Sequence, residues 1–585
     1  MLLHKVRIVG YRNFKDIEVN LNEKSLLIGI NDVGKSNFLR ALRLLLDKSF
    51  SESDIEPKDS DFYAFEDTCK IQITLFFNNV VEDCIKSRFQ AQISDNDELI
   101  IQYEATRNLE TGQKNFLIRT GPNLENLREY EVRFYLKVLN LHYISSNRDL
   151  NSYIKKEKRV LLENSREVRS EEEKASDELS IKSIEQDLGK TSSNISSLNY
   201  ISKATSSLNT ELSFLSVVDE NYKVSFDTGA SDIRKYLDNL TLASSKNGKT
   251  VALGGDGKNN QVYLAMWSAQ RREANSSPTE VSISLVEEPE AHLHPHQQRK
   301  LAKYLVETLG GQVLLTTHSP QIACEFDHAS IVSLNPTPNG TVASHNGCSP
   351  IIQESLINFG HRLNIIPAEG FFAKVVFLVE GVSEVLFYKA LASKLDIDLD
   401  KNNISIIPVE GVGFDVFIDV YSSLGVYYVA KTDFDIFKVP KKNMYRAVGL
   451  QRCLDYLSRY YSAQLDPEIK GMISTLAEQH STLPSKAIPE NLMPLIKSLK
   501  KKIESYWFYM SDVDLETDLA NSALYSSLST FYGENDVESL VSSMKEAKGK
   551  RMFEYLKSNF DDLAQLSSSD IAEPLNACLR LVASN

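Results

Sequence analysis

The chain opens on alternation. In KVRIVGYRNFKDIEVNLN (residues 5–22) apolar and polar side chains take turns, the period of two expected of half-buried strands, here two short ones. SLLIGINDVGKSNFLRALRLLL (25–46) then passes from an apolar run, through a glycine-bearing loop, into helical spacing. Further strands are expected at 71–77 (IQITLFF), 99–106 and 132–144. Across 151–215 the pattern changes. Lys, Glu and Ser dominate in REVRSEEEKASDEL and LGKTSSNISSLN, and the apolar density of a core strand is missing, which predicts an exposed helical insertion. Short buried strands return at 281–287 and 312–317, and NPTPNG (335–340) predicts a turn near the end of this first unit. A second α/β unit starts at Lys374, with strands at 374–379, 404–409 and 426–431 separated by helical patterns. From about Leu454 the spacing is mainly helical.

A chain of 585 residues exceeds one compact core, so several domains are expected. Its 42% hydrophobic and 25% charged residues are those of a globular protein, and no run of about 18 apolar residues predicts a membrane span. The N-terminus lacks the basic-then-apolar layout of a signal peptide, and the six cysteines show no paired spacing. A reducing, cytoplasmic location is the expectation. A net charge of −14 argues against a lysine-coated general nucleic-acid binder, while leaving room for a local basic face.

Two constellations carry chemistry. Gly29-Ile30-Asn31-Asp32-Val33-Gly34-Lys35-Ser36 fits G-x-x-x-x-G-K-[ST] between a strand and a helix. Backbone N–H groups of such a loop curl around phosphate oxygens, Lys35 reaches the β/γ-phosphates, and the Ser36 hydroxyl ligates Mg²⁺. Gly29, Asn31, Gly34, Lys35, Ser36 and Asn37 are the candidate ATP contacts. The acidic partner such a loop needs closes another strand in VSISLVEEPEAHLHP: Glu287 for the Mg²⁺ shell and Glu288 to polarise water. His292, His294 and His296 alternate in a loop and are poorly disposed to converge on a tetrahedral zinc ion. His318, in VLLTTHSPQ, follows a strand and could touch the γ-phosphate. The second constellation sits at three successive strand ends: Glu380-Gly381, Glu410-Gly411-Val412-Gly413 and Asp433-Phe434-Asp435. In a parallel sheet these ends share one edge, and carboxylates gathered there repel unless a divalent cation, Mg²⁺ or Mn²⁺, neutralises them. Glu384 follows Glu380 by one helical turn; alone it reads as a solvated helix face.

The loop at 29–36, EEPEAHLHP at 287–295 and TTHSPQ at 316–321 resemble the ABC-type ATPases of the SMC and RecF-like branch. That resemblance implies that His318 is the switch histidine, that Glu290 to His294 meet a partner subunit, and that the chain is at least a dimer. LGGDGKNNQ (253–261) stands where the signature loop is expected; Gly254 replaces the usual serine, and Gly255 is a candidate nucleotide contact. The strand-end acids resemble the Toprim fold of topoisomerases, primases and certain nucleases. An ABC ATPase followed directly by Toprim resembles the OLD (overcoming lysogenization defect) nucleases, and AKTDFDIFKVPKKNMYRAVGLQRCL (430–454) is similar to the nuclease subunit of the Gabija antiphage system. The fold class this implies is α/β. An N-terminal ABC ATPase (1–150 and 216–360) carries a helical dimerisation insertion (151–215), and a Toprim domain with helical elaboration follows (370–585).

By the same resemblance, Glu380, Glu384, Asp433 and Asp435 are metal ligands of a two-metal nuclease centre, and Gly411 is a close-packing glycine. Asp514 and Glu516 in SDVDLETDL supply further acids, with Asp512 and Asp518 as weaker neighbours. Lys548 or Lys550 supplies a catalytic lysine, and the sequence does not separate the two. The basic segments 497–502 and 545–551 either track phosphates or are solvated helix faces. The substrate implied is DNA. The partners implied are further copies of the chain, as dimer or tetramer, and an operon partner such as a UvrD-like helicase or a retron reverse transcriptase with its DNA–RNA product. The alternative is a RecF-like DNA clamp whose Toprim domain grips without cutting. Glu384, Asp514 and Glu516 favour the nuclease, since a binding module needs no second metal.

Overall fold

The computed structural model describes residues 1–130, 133–146, 158–215 (apart from 161, 164 and 168), 224, 243–246, 249–252, 256–275, 279–348, 365–546 (apart from 412) and 548–584. The chain divides into two units. One comprises Met1–Ser146, Ser277–Glu290 and His294–Asn585; the other comprises Asn147–Ser276 and Ala291–Leu293.

Three sheets organise the first unit. A six-stranded antiparallel sheet runs in the order Phe14–Asn20, Leu2–Tyr11, Lys70–Asn78, Leu99–Arg107, Lys114–Gly121 and Arg128–Glu129. A second sheet places Lys24–Ile28 between Ile331–Thr337 and Val313–Thr316, with Val281–Glu287 and Leu139–Ile144 beyond, all parallel. The helix Lys35–Leu46 packs against strands of both sheets and buries Phe38, Leu39, Ala41, Leu42, Leu44, Leu45 and Leu46. These seven apolar positions, interrupted by Arg40 and Arg43, account for the helical spacing of its sequence.

The third sheet is wholly parallel, in the order Ile404–Pro408, Val375–Val379, Tyr427–Thr432, Phe508–Met510. Val375–Val379 (VVFLV) is buried at every residue, which is why it reads as an apolar run rather than an alternation.

Two expectations need correction, and a third gains a detail. The strand expected at 132–144 begins only at Leu139, because Phe134–Lys137 forms a 3₁₀ turn. The strand Ile331–Thr337 runs on through Asn335 and Pro336, paired with Gly340–Ala343, so the turn is only its tip. The helical stretch beyond Leu454 contains the sheet's fourth strand, Phe508–Met510, too short to show against its helical flanks.

In the second unit, Glu171–Ser196 and Asn199–Leu215 are helices, and Glu171–Ser196 buries no residue. Leu179 and Tyr200 are exposed on this pair. Leu253, Gly254 and Gly255 of the expected signature loop lie outside the described residues. Among the described residues, no helix is long and apolar enough to cross a membrane.

Candidate active site

The glycine-bearing loop joins the strand Lys24–Ile28 to the helix Lys35–Leu46. Gly34 has φ +104, and a Cβ there would stand 2.1 Å from Asn13 Nδ2, so only glycine lets the loop close onto Asn13. Asn13 donates to Val33 O at 2.8 Å and accepts from Asn37 Nδ2 at 2.7 Å, while Arg12 donates to Asn37 Oδ1 at 2.8 Å. Asn37 thus braces the loop from behind, and Asn31 and Ser36 are exposed. Lys35 donates to the carbonyls of Gly29 and Ile30, both at 2.9 Å, and burial pushes its ammonium down to about 8. The Ser36 hydroxyl donates to Glu287 Oε1 at 2.5 Å, and the Tyr143 hydroxyl donates to Glu287 Oε2. His318 Nε2 stands 3.5 Å from Glu288 Oε1, and burial, then Lys35, lowers the imidazole's pKa. The sequence motifs meet at one place: P-loop lysine and serine, Glu287, Glu288 and His318. Arg12, Asn13 and Tyr143 join them, and nothing in the local sequence marked those three.

The parallel order of the third sheet brings its strand ends to one edge. Glu380 follows Val375–Val379, and its Oε1 accepts from the Thr432 hydroxyl at 2.7 Å, from the Asp433 N–H at 2.9 Å and from the Arg452 guanidinium. Arg452 Nη1 also lies 3.9 Å from Asp435 Oδ2. Glu384 is buried, and its Oε2 accepts from Gly381 N–H at 2.7 Å, closing the start of its own helix. Its Oε1 and Asp433 Oδ1 are buried without a hydrogen-bond partner. Burial pushes Glu384 up to about 7 against the opposing pull of Lys431 and the Gly381 N–H, with Glu380 and Glu516 adding to the rise, and burial with Glu384 beside it pushes Asp433 up to about 8. Asp435 is raised too, by burial and then by Glu380.

The fourth strand delivers the remaining acids. Asp514 caps the helix Leu515–Ala520, its Oδ1 accepting from Thr517 N–H at 2.9 Å, and its Oδ2 pairs with Lys545. Burial works to raise Asp514, but Lys545 and Thr517 outweigh it and hold the carboxyl below its ordinary value. Glu516 is 2% exposed, with Oε2 3.1 Å from Lys548 Nζ. The two lysines are therefore separated: Lys548 reaches Glu516, whereas the Lys550 side chain is 78% exposed and 3.9 Å from Glu554. Asp512 turns outward to Lys500, and Asp518 Oδ2 stands 3.9 Å from Lys431 Nζ. Lys431 is buried and donates to Ser511 Oγ at 2.6 Å; burial opposes its charge, but Tyr388, Asp518, Glu384 and Asp433 around it raise its pKa.

Sequence reasoning missed Lys431 and Arg452 and gave Lys545 only as part of the basic segment 545–551; each is placed by a long-range contact. Gly411 is not a close-packing glycine: a Cβ there would meet nothing within 4 Å, and the residue serves a turn at φ +74. Three of the four lysines of 497–502 are tied into ion pairs, Lys500 to Asp512, Lys501 to Glu504 and Lys502 to Glu468, which favours the solvated-face reading. Among the described residues, no three His, Cys, Asp or Glu side chains are placed to enclose a metal ion. Arg452, Lys545 and Lys548 draw Glu380, Asp514 and Glu516 each toward its own cation. The donor set nevertheless fits hard divalent cations. It is all carboxylate, clustered at one edge, with two buried oxygens unpartnered.

Residues 1–323 match the AAA ATPase domain family, and residues 371–435 match the TOPRIM domain of overcoming lysogenization defect protein-like proteins. The chain is similar to endonuclease GajA of Bacillus cereus (strain VD045), 25% identical over 562 residues that cover 93% of each chain. It is 21% identical to the OLD nuclease of Thermus scotoductus, over 75% of this chain and 83% of that one. It is 24% identical to the Old nuclease of Escherichia phage P2, over 70% of this chain and 73% of that one. With a P-loop site on one parallel sheet and a cluster of acids along the edge of another, the chain belongs to the AAA ATPase domain family and carries a TOPRIM domain of the overcoming lysogenization defect type.

Proposed function

We propose that this protein is an ATP-binding, nucleotide-regulated, divalent-metal-dependent DNA endonuclease of the OLD family, acting as an antiphage effector. The observation that carries the reading is the buried pair of unpartnered carboxylate oxygens, Glu384 Oε1 and Asp433 Oδ1, at the centre of the strand-end acids. Leaving such oxygens unsatisfied costs on the order of 1–3 kcal/mol each or more, a cost retained where function needs it. Two divalent ions held by Glu380, Glu384, Asp433, Asp435, Asp514 and Glu516 would supply an activated water and charge stabilisation for the leaving 3′ oxygen. Lys548, 3.1 Å from Glu516, would neutralise charge on the scissile phosphate, and Arg452 holds Glu380 in place. At the ATPase site, Lys35 and Ser36 would hold the nucleotide phosphates and their Mg²⁺, with Glu287 for the Mg²⁺ shell and Glu288 to polarise the attacking water. The exposed helices within 151–215 serve as the dimerisation element.

Cleavage of supercoiled plasmid by the full chain tests this, with Mg²⁺ or Mn²⁺ and with or without ATP. Metal-dependent nicking lost in Glu380→Ala, and altered in nucleotide response by Lys35→Ala, is the expected result. Cleavage that survives Glu380→Ala would place the activity elsewhere, and no cleavage under any metal or nucleotide condition would leave the clamp reading in its place.

A further inference from the structure

Residues 436–447, IFKVPKKNMYRA, leave the acid cluster directly after Asp435 and hold four cations, Lys438, Lys441, Lys442 and Arg446, with no acid among them. In a chain of net charge −14, that is an outlier. The segment is a two-stranded hairpin, Ile436–Lys438 against Tyr445–Ala447, with Phe437 opposite Arg446 and Lys438 opposite Tyr445. All four cations are exposed, and none has an ion-pair partner among the described residues, unlike Lys500, Lys501 and Lys502. Phe437 is 55% exposed beside Arg446, an aromatic ring and a guanidinium on one face of the hairpin.

The base of the hairpin is fixed to the acids. Val448 N–H donates to Asp435 O at 2.8 Å, and Gly449 N–H to Phe434 O at 3.2 Å. The returning strand is braced on its other side by Tyr445 and Leu483, which exchange backbone hydrogen bonds at 2.8 and 3.0 Å. The helix that follows, Val448–Tyr460, carries Arg452 back to Glu380. The three strand residues Ile436–Lys438, at ~3.3 Å each, extend the hairpin ~10 Å, or about three base-pair steps of duplex.

We infer that this hairpin is a phosphate-tracking arm that grips the DNA duplex beside the scissile bond. The inference rests on the nuclease reading above and names the surface that reading lacks. The occupant follows from charge: unpaired cations and an exposed aromatic, rigidly joined to a strongly acidic centre, offset the repulsion that centre exerts on a polyanion. Lysines and arginine supply phosphate contacts without reading sequence, and Phe437 with Arg446 offers a sugar or base-face contact.

The test is fluorescence anisotropy of a labelled 30-base-pair duplex with the full chain, in EDTA and in Ca²⁺, across a salt series. The variant is Lys438→Ala/Lys441→Ala/Lys442→Ala/Arg446→Ala, all at exposed positions. Each lost phosphate contact lowers the salt slope by ~0.9, so a slope about 2–4 shallower and affinity at least ~50-fold weaker at 0.1 M salt are expected. ATP binding and thermal unfolding should be unchanged. Equal affinity and slope in wild type and variant would overturn the arm while leaving the nuclease reading intact. A variant that binds DNA normally but no longer cuts would also overturn it, pointing to a partner protein or a local structural role. A wild type that binds no duplex in either buffer overturns both readings together.

Discussion

Lys431 is the buried cation among the strand-end acids, and deleting its charge is expected to destabilise the fold. Its side chain is 5% exposed, donates to Ser511 Oγ at 2.6 Å, and stands 3.9 Å from Asp518 Oδ2 with Glu384 and Asp433 close by. At an effective dielectric of ~20, a unit pair at that separation is worth ~4 kcal/mol. Removing one member of a buried pair costs ~3–5 kcal/mol, because the other is left uncompensated. Lys431→Met keeps the apolar stem and deletes the charge, so it isolates this effect. We expect the unfolding transition of the full chain, followed by calorimetry in EDTA, to fall by on the order of 10 °C. Adding Asp518→Asn should recover part of the loss, since one uncompensated carboxylate is then gone. A fall of under about 2 °C, or a double variant no better than the single, would refute the claim that Lys431 is the counterion of these acids.

Three further outcomes follow from particular contacts. Lys548→Met should lower metal-dependent cleavage ~10²-fold or more, whereas Lys550→Met, at an exposed position, should stay within about twofold; equal effects would contradict the separation of the two lysines. Gly449→Ala puts a Cβ 2.0 Å from Asp433 O, so it should cost about 1–3 kcal/mol and weaken cleavage without changing ATP affinity. His328 is buried against Phe371, ring centroids 5.4 Å apart, and burial pushes its imidazole down to about 4. The unfolded chain therefore takes up that proton first as pH falls. This contribution to stability is whole above ~6.5 and declines by up to about 3 kcal/mol toward pH 4. His328→Leu should flatten the denaturant midpoint over that window, and an unchanged pH slope would show that His328 is not its source.

Much of this arrangement is legible in the residues because it is local. A strand, a glycine turn and a helix declare the P-loop, and an apolar run ending in Glu380 or Asp433 declares a strand-end acid. What was not legible depends on distance in the chain. Phe508–Met510 is three residues long and becomes a strand only by pairing with Tyr427–Thr432. Lys545 ends one helix and Lys548 begins the next, which also holds Lys550, and only the fold turns Lys545 and Lys548 toward acids 31 and 32 residues away. Arg452 looks like any helix-surface arginine until the helix is seen to return to Glu380. Gly411 looked like a packing glycine by its motif, yet the structure gives it open space and a left-handed turn.

The central claim is that the strand-end acids form a two-metal site, and counting bound Mn²⁺ by electron paramagnetic resonance tests it most directly. Titrated without nucleotide, the full chain should bind two ions with a shared loss of the free-ion signal. Asp433→Asn, which removes the acid most surrounded by other acids, should abolish at least one of them while leaving ATP binding unchanged. A wild-type chain that leaves the free Mn²⁺ signal untouched would contradict the account at its base.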